Sequence, residues 1–239
     1  MIRSESPVYV PAKHEGRYDD LIFTPLDLPP VPEVDIDQFI EWMKSDPLKT
    51  GTMPKERFER ITGKRYPWLM RVVSSDLESL HAAFPEVLQY ARQYPFKTIK
   101  ALVFLAQDGR EEVFPHADSD GLVGMRFYLA NKNVDGLHFF KGKQPYDYFN
   151  GYKSDESGKP TPVGFENYFR MDEPIYARFP DTSRAFMLNS ARAIHAVDEN
   201  TCQLGDRIAV LVQGELDHDR LNALICASLC RYQEYAIWY

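Results

Sequence analysis

Long apolar runs are missing from this sequence. No stretch approaches the eighteen consecutive apolar residues that a membrane-spanning helix needs, so no helix is expected to cross a bilayer. Cysteine is scarce: Cys202, Cys226 and Cys230 are an odd number and too few for a disulfide scaffold. Runs of one charge are also lacking, and a formal net charge of −7 argues against a nonspecific grip on a nucleic-acid backbone. The opening residues Met1-Ile2-Arg3-Ser4-Glu5-Ser6-Pro7 have no apolar signal-peptide core, so a reducing cytoplasm is the expected setting. Internal repeats and low-complexity tracts are absent.

What remains is ordinary globular material. With 239 residues, 44% hydrophobic and 26% charged, the chain can bury one large core, read as a single domain over 1–239. Prolines at 7, 11, 25, 29, 30 and 32 predict an extended arm over residues 1–34, laid across the surface. A helical layer is expected over 35–95. Asp35 or Asp37 caps a helix through Phe39, Ile40, Trp42 and Met43, and another helix begins near Pro54. Residues 75–92 repeat apolar side chains every three or four positions, interrupted by Pro85, as one kinked helix or two.

From Phe96 the period becomes two. Short strands are expected over 96–106, 111–116, 122–129, 137–141, 165–171, 174–179, 184–188, 192–197 and 207–213. Gln107-Asp108-Gly109-Arg110 and residues 198–206 read as turns, and 150–162 as a mobile loop over a site mouth. Such a run of short strands over 96–214, with flanking helices, is mainly β: a sandwich or a barrel. An amphipathic helix from Asp217 or Asp219 closes the chain, with Cys226 and Cys230 read as small buried hydrophobes.

Two separated stretches carry chemistry. In Val113-Phe114-Pro115-His116-Ala117-Asp118, residues i and i+2 of an extended chain point to one side, about 6.6 Å apart. His116 and Asp118 can therefore converge on one cation, with Asp120 a less well aimed rival. A third ligand must come from elsewhere, and His195 in Ala193-Ile194-His195-Ala196-Val197 is the best-placed residue. Two histidines and a carboxylate hold ferrous iron on one face and leave the opposite positions open. Arg207 follows His195 by twelve positions, an even separation that would set the two side by side across a hairpin. Its guanidinium is a natural fork for the far carboxylate of a metal-chelating keto acid. His138 reads as a core or lining histidine, while the arginines at 170, 178, 184 and 192 are either solvated or partners for a carboxylate.

The pattern His116-x-Asp118 … His195 … Arg207 resembles the iron- and 2-oxoglutarate-dependent oxygenases built on the double-stranded β-helix, a cupin-like jelly roll. Over about residues 96–214 the segment looks most like the aspartyl/asparaginyl β-hydroxylase branch, which also holds proline hydroxylases. Arg126, in Gly124-Met125-Arg126-Phe127-Tyr128-Leu129, matches an arginine of that branch that helps hold the co-substrate, and Tyr128 stands where the branch often has a histidine. The resemblance implies Fe(II), 2-oxoglutarate and O2, and hydroxylation of an unactivated C–H with release of succinate and CO2. It also implies a small-molecule substrate, an amino acid or a compound derived from one. Halogenases of this superfamily lack the ligand that Asp118 supplies, so its presence implies hydroxylation or a related oxidation. The alternatives are another metal-dependent cupin-like enzyme that uses no oxo acid, and a non-enzymatic jelly-roll binding module.

Overall fold

The computed structural model describes residues 18, 20–45, 70–74, 76–109, 113–116, 123–132, 136–140, 152–154, 160–162, 173–190, 193–197 and 202–239. Eight strands form its centre: β3 (Phe96–Gly109), β4 (Val113–His116), β5 (Val123–Asn131), β6 (Leu137–Phe140), β9 (Ile175–Tyr176), β10 (Ala185–Asn189), β11 (Ile194–Val197) and β12 (Cys202–Leu216). The first pairs with the last, and the pairing then steps inward: β3 with β12, β4 with β11, β5 with β10, β6 with β9, every pair antiparallel. A long hairpin wound in this way gives two facing sheets, with β10-β5-β12-β3 in one and β4-β11-β6-β9 in the other. That pairing order is the double-stranded β-helix, or jelly roll.

The larger sheet gains three outer strands, β1 (Leu21–Pro25), β13 (Ile237–Trp238) and β2 (Met70–Ser74), giving the order β13-β1-β10-β5-β12-β3-β2. β1 is a correction to the expected surface arm. Leu21 to Thr24 are fully buried between β10 and β13. The prolines punctuate the chain around this apolar run without preventing it from pairing. β2 and β13 are likewise unanticipated. β3 runs on through Gly109, which pairs with Cys202, so the expected turn at 107–109 is strand. The expected loop at 150–162 contains a hairpin of β7 (Tyr152–Ser154) with β8 (Pro160–Pro162). The expected strand over 174–179 shrinks to Ile175–Tyr176. The helix near Pro54 and the strand over 165–171 lie outside the described residues.

Period-two side chains divide each long strand of the large sheet between two cores. Leu102, Phe104, Ala106, Ile208, Val210 and Val212 face outward onto helices, whereas Leu105 and Ala209 face the space between the sheets. The helices are α1 (Ile36–Ser45), α2 (Leu77–Ala83), α3 (Pro85–Ala91) and α4 (His218–Tyr232). Three begin on an aspartate whose carboxylate accepts a backbone N–H three residues on: Asp35 from Gln38, Asp76 from Ser79, Asp217 from Arg220. Pro85 starts α3 and ends α2 at Phe84, so the interrupted pattern at 75–92 is two helices. Phe39 of α1 ties this layer to the sheet through rings of Phe84 at 4.8 Å and Phe104 at 5.2 Å.

Candidate functional site

β11 is an inner strand of the small sheet, between β4 and β6. His195 and His116 are Cα partners across the β11–β4 ladder, so the two positions lie directly opposite on one sheet face. The other neighbour of His195 is Phe139. Phe139, Ala193 and Val197 pack with Tyr128, Phe186 and Ala209 of the large sheet, so this face is the one turned to the barrel interior. His195 is buried, at 3% exposure, and its Nδ1 lies 3.2 Å from the Ala193 carbonyl. If Nδ1 carries the proton and donates that bond, Nε2 is left with the lone pair that a metal ligand requires. Asp118 and its rival Asp120 lie outside the described residues, and among the described residues no three His, Cys, Asp or Glu side chains gather as a metal cluster.

Across the interior, the large sheet presents a cationic pair. Arg207 is 5% exposed and donates from a terminal nitrogen to the Tyr128 hydroxyl at 3.0 Å; its guanidinium carbon also lies 5.1 Å from the centre of that ring. Tyr128 is held in turn by Phe186 at 5.0 Å and Phe179 at 5.6 Å between ring centres. These contacts fix the guanidinium on the inner face, since Tyr128 and Ala209, Cα partners, both belong to the inner core. Arg126 stands two residues before Tyr128 on the same face, opposite Phe186 and Leu211. Its guanidinium lies over Gly124, where an added Cβ would come within 3.0 Å of Nε. The backbone there is anchored from the other side: the fully buried Tyr94 donates to the Arg126 carbonyl at 2.7 Å.

The expected hairpin between His195 and Arg207 is corrected by this arrangement. Among the described residues, β11 pairs with strands of the small sheet and β12 with strands of the large one. The chain crosses from sheet to sheet between them, and the two residues stand on the inner faces of different sheets instead of side by side on one.

Two features of the large sheet escaped the sequence reading. β5 carries a bulge: Ala130 opposes Ile208 and Tyr128 opposes Ala209, leaving Leu129 extra. Leu129 and Ala130 therefore both reach the outer core, and Asn131 returns to the inner face opposite Arg207. β12 has a register shift between Cys202 and Arg207, with Gly205 at φ +100° inside it. An added Cβ there would meet Ile40 and Ile36 of α1 at 2.7 and 2.9 Å. A glycine two residues before the arginine was the only trace of this in the sequence.

Other residues leave the site. His138, on alternate positions of β6, faces away from the interior and packs on Phe140 and Tyr176 at 5.1 Å from each. Its Nδ1 meets the Gly136 carbonyl at 3.1 Å. Arg178 donates to the Glu234 carbonyl at 3.0 Å, a contact that holds the C-terminal segment. Cys226 and Cys230 are exposed, against expectation, because Leu221, Ile225, Ser228 and Tyr232 form the buried stripe of α4.

No family model and no curated protein matches the chain. Among solved structures, it is similar to SnoK, a non-heme α-ketoglutarate-dependent carbocyclase from nogalamycin biosynthesis, at 12% identity and TM-score 0.44, over 82% of this chain and 81% of that one. It is similar to HygX from Streptomyces hygroscopicus, solved with nickel and 2-oxoglutarate bound, at 14% identity and TM-score 0.38, over 87% and 88%. A third likeness, to EvdMO1, has 11% identity and TM-score 0.41 and spans 82% of this chain but 47% of the other. At these scores the likenesses carry no argument about chemistry; the fold rests on the strand pairing itself.

Proposed function

We propose that this chain is an Fe(II)- and 2-oxoglutarate-dependent dioxygenase that hydroxylates an unactivated C–H of a small molecule. The observation that carries the reading is the pairing of His116 with His195 on the inner face of one sheet, opposite the Arg207–Tyr128 pair on the other. In this reading His116, His195 and Asp118 hold the metal. The donor set fits: two imidazoles with a carboxylate suit Fe(II), and the Ala193 carbonyl is placed to fix the His195 tautomer.

Bound iron would activate O2, the oxidant, with 2-oxoglutarate supplying two of the four electrons that O2 takes up, chemistry for C–H cleavage that side chains alone lack. The chain's own part is binding and orientation. Arg207 meets the distal carboxylate, with the Tyr128 hydroxyl beside it as a second polar contact. Burial of the pair strengthens that attraction by excluding water. Phe139, Phe186 and Ala209 make the surroundings of the pair apolar, so the carboxylate has one strongly favourable partner there. Arg126, on the same face, is a second cation for the co-substrate or for an acidic substrate. The resemblance of the motif supports an amino-acid-derived substrate, and the scarcity of cysteine supports a cytoplasmic setting.

Oxygen consumption with and without 2-oxoglutarate tests the reading. Uptake should depend on the oxo acid and yield succinate stoichiometrically. Uptake that ignores 2-oxoglutarate would instead favour a cupin-like enzyme without an oxo-acid co-substrate.

A further inference from the structure

Asn131 ends β5 at a position that the Leu129 bulge turns back to the inner face, directly opposite Arg207. Directly opposed residues of an antiparallel pair have Cβ atoms about 4.5–5.5 Å apart, so the amide stands beside the root of the buried guanidinium. Its Oδ1 is buried and has no hydrogen-bond partner among the described residues. A buried amide oxygen left unmade costs stability, and natural proteins leave few of them. A half-turn about χ2 exchanges Oδ1 and Nδ2 within the same envelope, so this group can present either an acceptor or two donors to whatever occupies the space.

We infer that Asn131 is a third polar contact of the anion pocket and donates from Nδ2 to the carboxylate that Arg207 grips. The inference rests on the oxo-acid reading above and extends it to a residue outside the metal motif. Three groups on two ranks of the face then surround one carboxylate: Arg207 and Asn131 opposite each other on β12 and β5, and Tyr128 on the next inward-facing rank of β5. The bulge is what brings it there. Without the extra residue, alternation would put position 131 outward among the helices. A contact of this kind fixes where the carboxylate ends and therefore favours one acid length.

Calorimetric titration of 2-oxoglutarate and of 2-oxoadipate, one methylene longer, into Mn(II)-loaded protein tests this, with the melting temperature of each variant as a second readout. Asn131→Leu removes the orphaned amide at similar volume, so it should keep or raise the melting temperature while raising the Kd for 2-oxoglutarate by about tenfold or more. Asn131→Asp places a carboxylate beside Arg207 and should weaken binding by about a hundredfold. A Kd within twofold of the parent for Asn131→Leu overturns the inference while leaving the oxo-acid reading intact. Parent protein that binds 2-oxoadipate but no 2-oxoglutarate, with that binding lost in Asn131→Leu, ends the 2-oxoglutarate reading and sustains the role of Asn131. Binding of neither acid overturns both.

Discussion

Replacing Gly205 with alanine probes how the fold aims Arg207. Gly205 has φ +100°, and the alanine Cβ would lie 2.7 Å from Ile40 Cδ1 and 2.9 Å from Ile36 Cγ2. Two costs add. A side chain at positive φ is unfavourable by about 1–2 kcal/mol, and forcing a methyl into the packed seam with α1 costs about 1–3 kcal/mol. The expected loss is therefore about 2–5 kcal/mol, which in a chain of this size lowers the melting temperature by roughly 4–20 °C. Equilibrium unfolding in guanidinium measures it. The two costs separate in a cycle: Ile40→Ala in the Gly205→Ala background should recover part of the steric cost and none of the backbone cost, giving a favourable coupling. Since Arg207 lies two residues on, binding of 2-oxoglutarate should weaken as well. Gly205→Ala within about 0.5 kcal/mol of the parent, with unchanged binding, would refute the claim that this position needs glycine and aims the arginine.

Other changes have distinct signatures. Arg207→Ala should weaken 2-oxoglutarate binding by about tenfold to a hundredfold, the worth of a charge-assisted contact, with iron content unchanged by metal analysis. Tyr128→Phe should weaken it several-fold while keeping the ring stack; equal losses in both variants would mean that the charge acts only through its bond to the hydroxyl. Tyr94→Phe removes the hydrogen bond to the Arg126 carbonyl and should cost about 0.5–1.5 kcal/mol in unfolding. Burial first, and the neighbouring Tyr90 second, hold the Tyr94 phenol well above its usual range. A raised folded value means that its contribution is intact below about pH 10, the unfolded value, and is lost as pH climbs beyond it. The alkaline fall in stability should flatten in Tyr94→Phe, and an unchanged slope would assign that fall to other groups.

The strands at 96–106, 122–129 and 184–188 were legible because alternation is a local property, and the aspartate caps because a carboxylate followed by an apolar period leaves little else for it to do. What escaped was set by distant partners. Leu21–Pro25 is strand only because β10 and β13 flank it; its own prolines read as an irregular arm. The parity of His195 and Arg207 follows from spacing, but spacing does not reveal that the chain changes sheets between them. Ser228 is buried while Cys226 and Cys230 are exposed because Ser228 accepts from the Asp27 N–H at 2.9 Å, a contact across 201 positions. Asn131 was invisible for the same reason: a single extra residue, Leu129, changes the face that everything after it presents.

Anaerobic titration of Fe(II) and 2-oxoglutarate, followed by metal-to-ligand charge-transfer absorption, tests the central claim most directly. The account predicts a band at one equivalent of iron that needs both components. It should vanish in His116→Ala, Asp118→Ala and His195→Ala and persist in His138→Ala, whose ring faces away from the barrel interior. A band that survives in His195→Ala, or one that is lost only in His138→Ala, would contradict a metal site built on the paired histidines of β4 and β11.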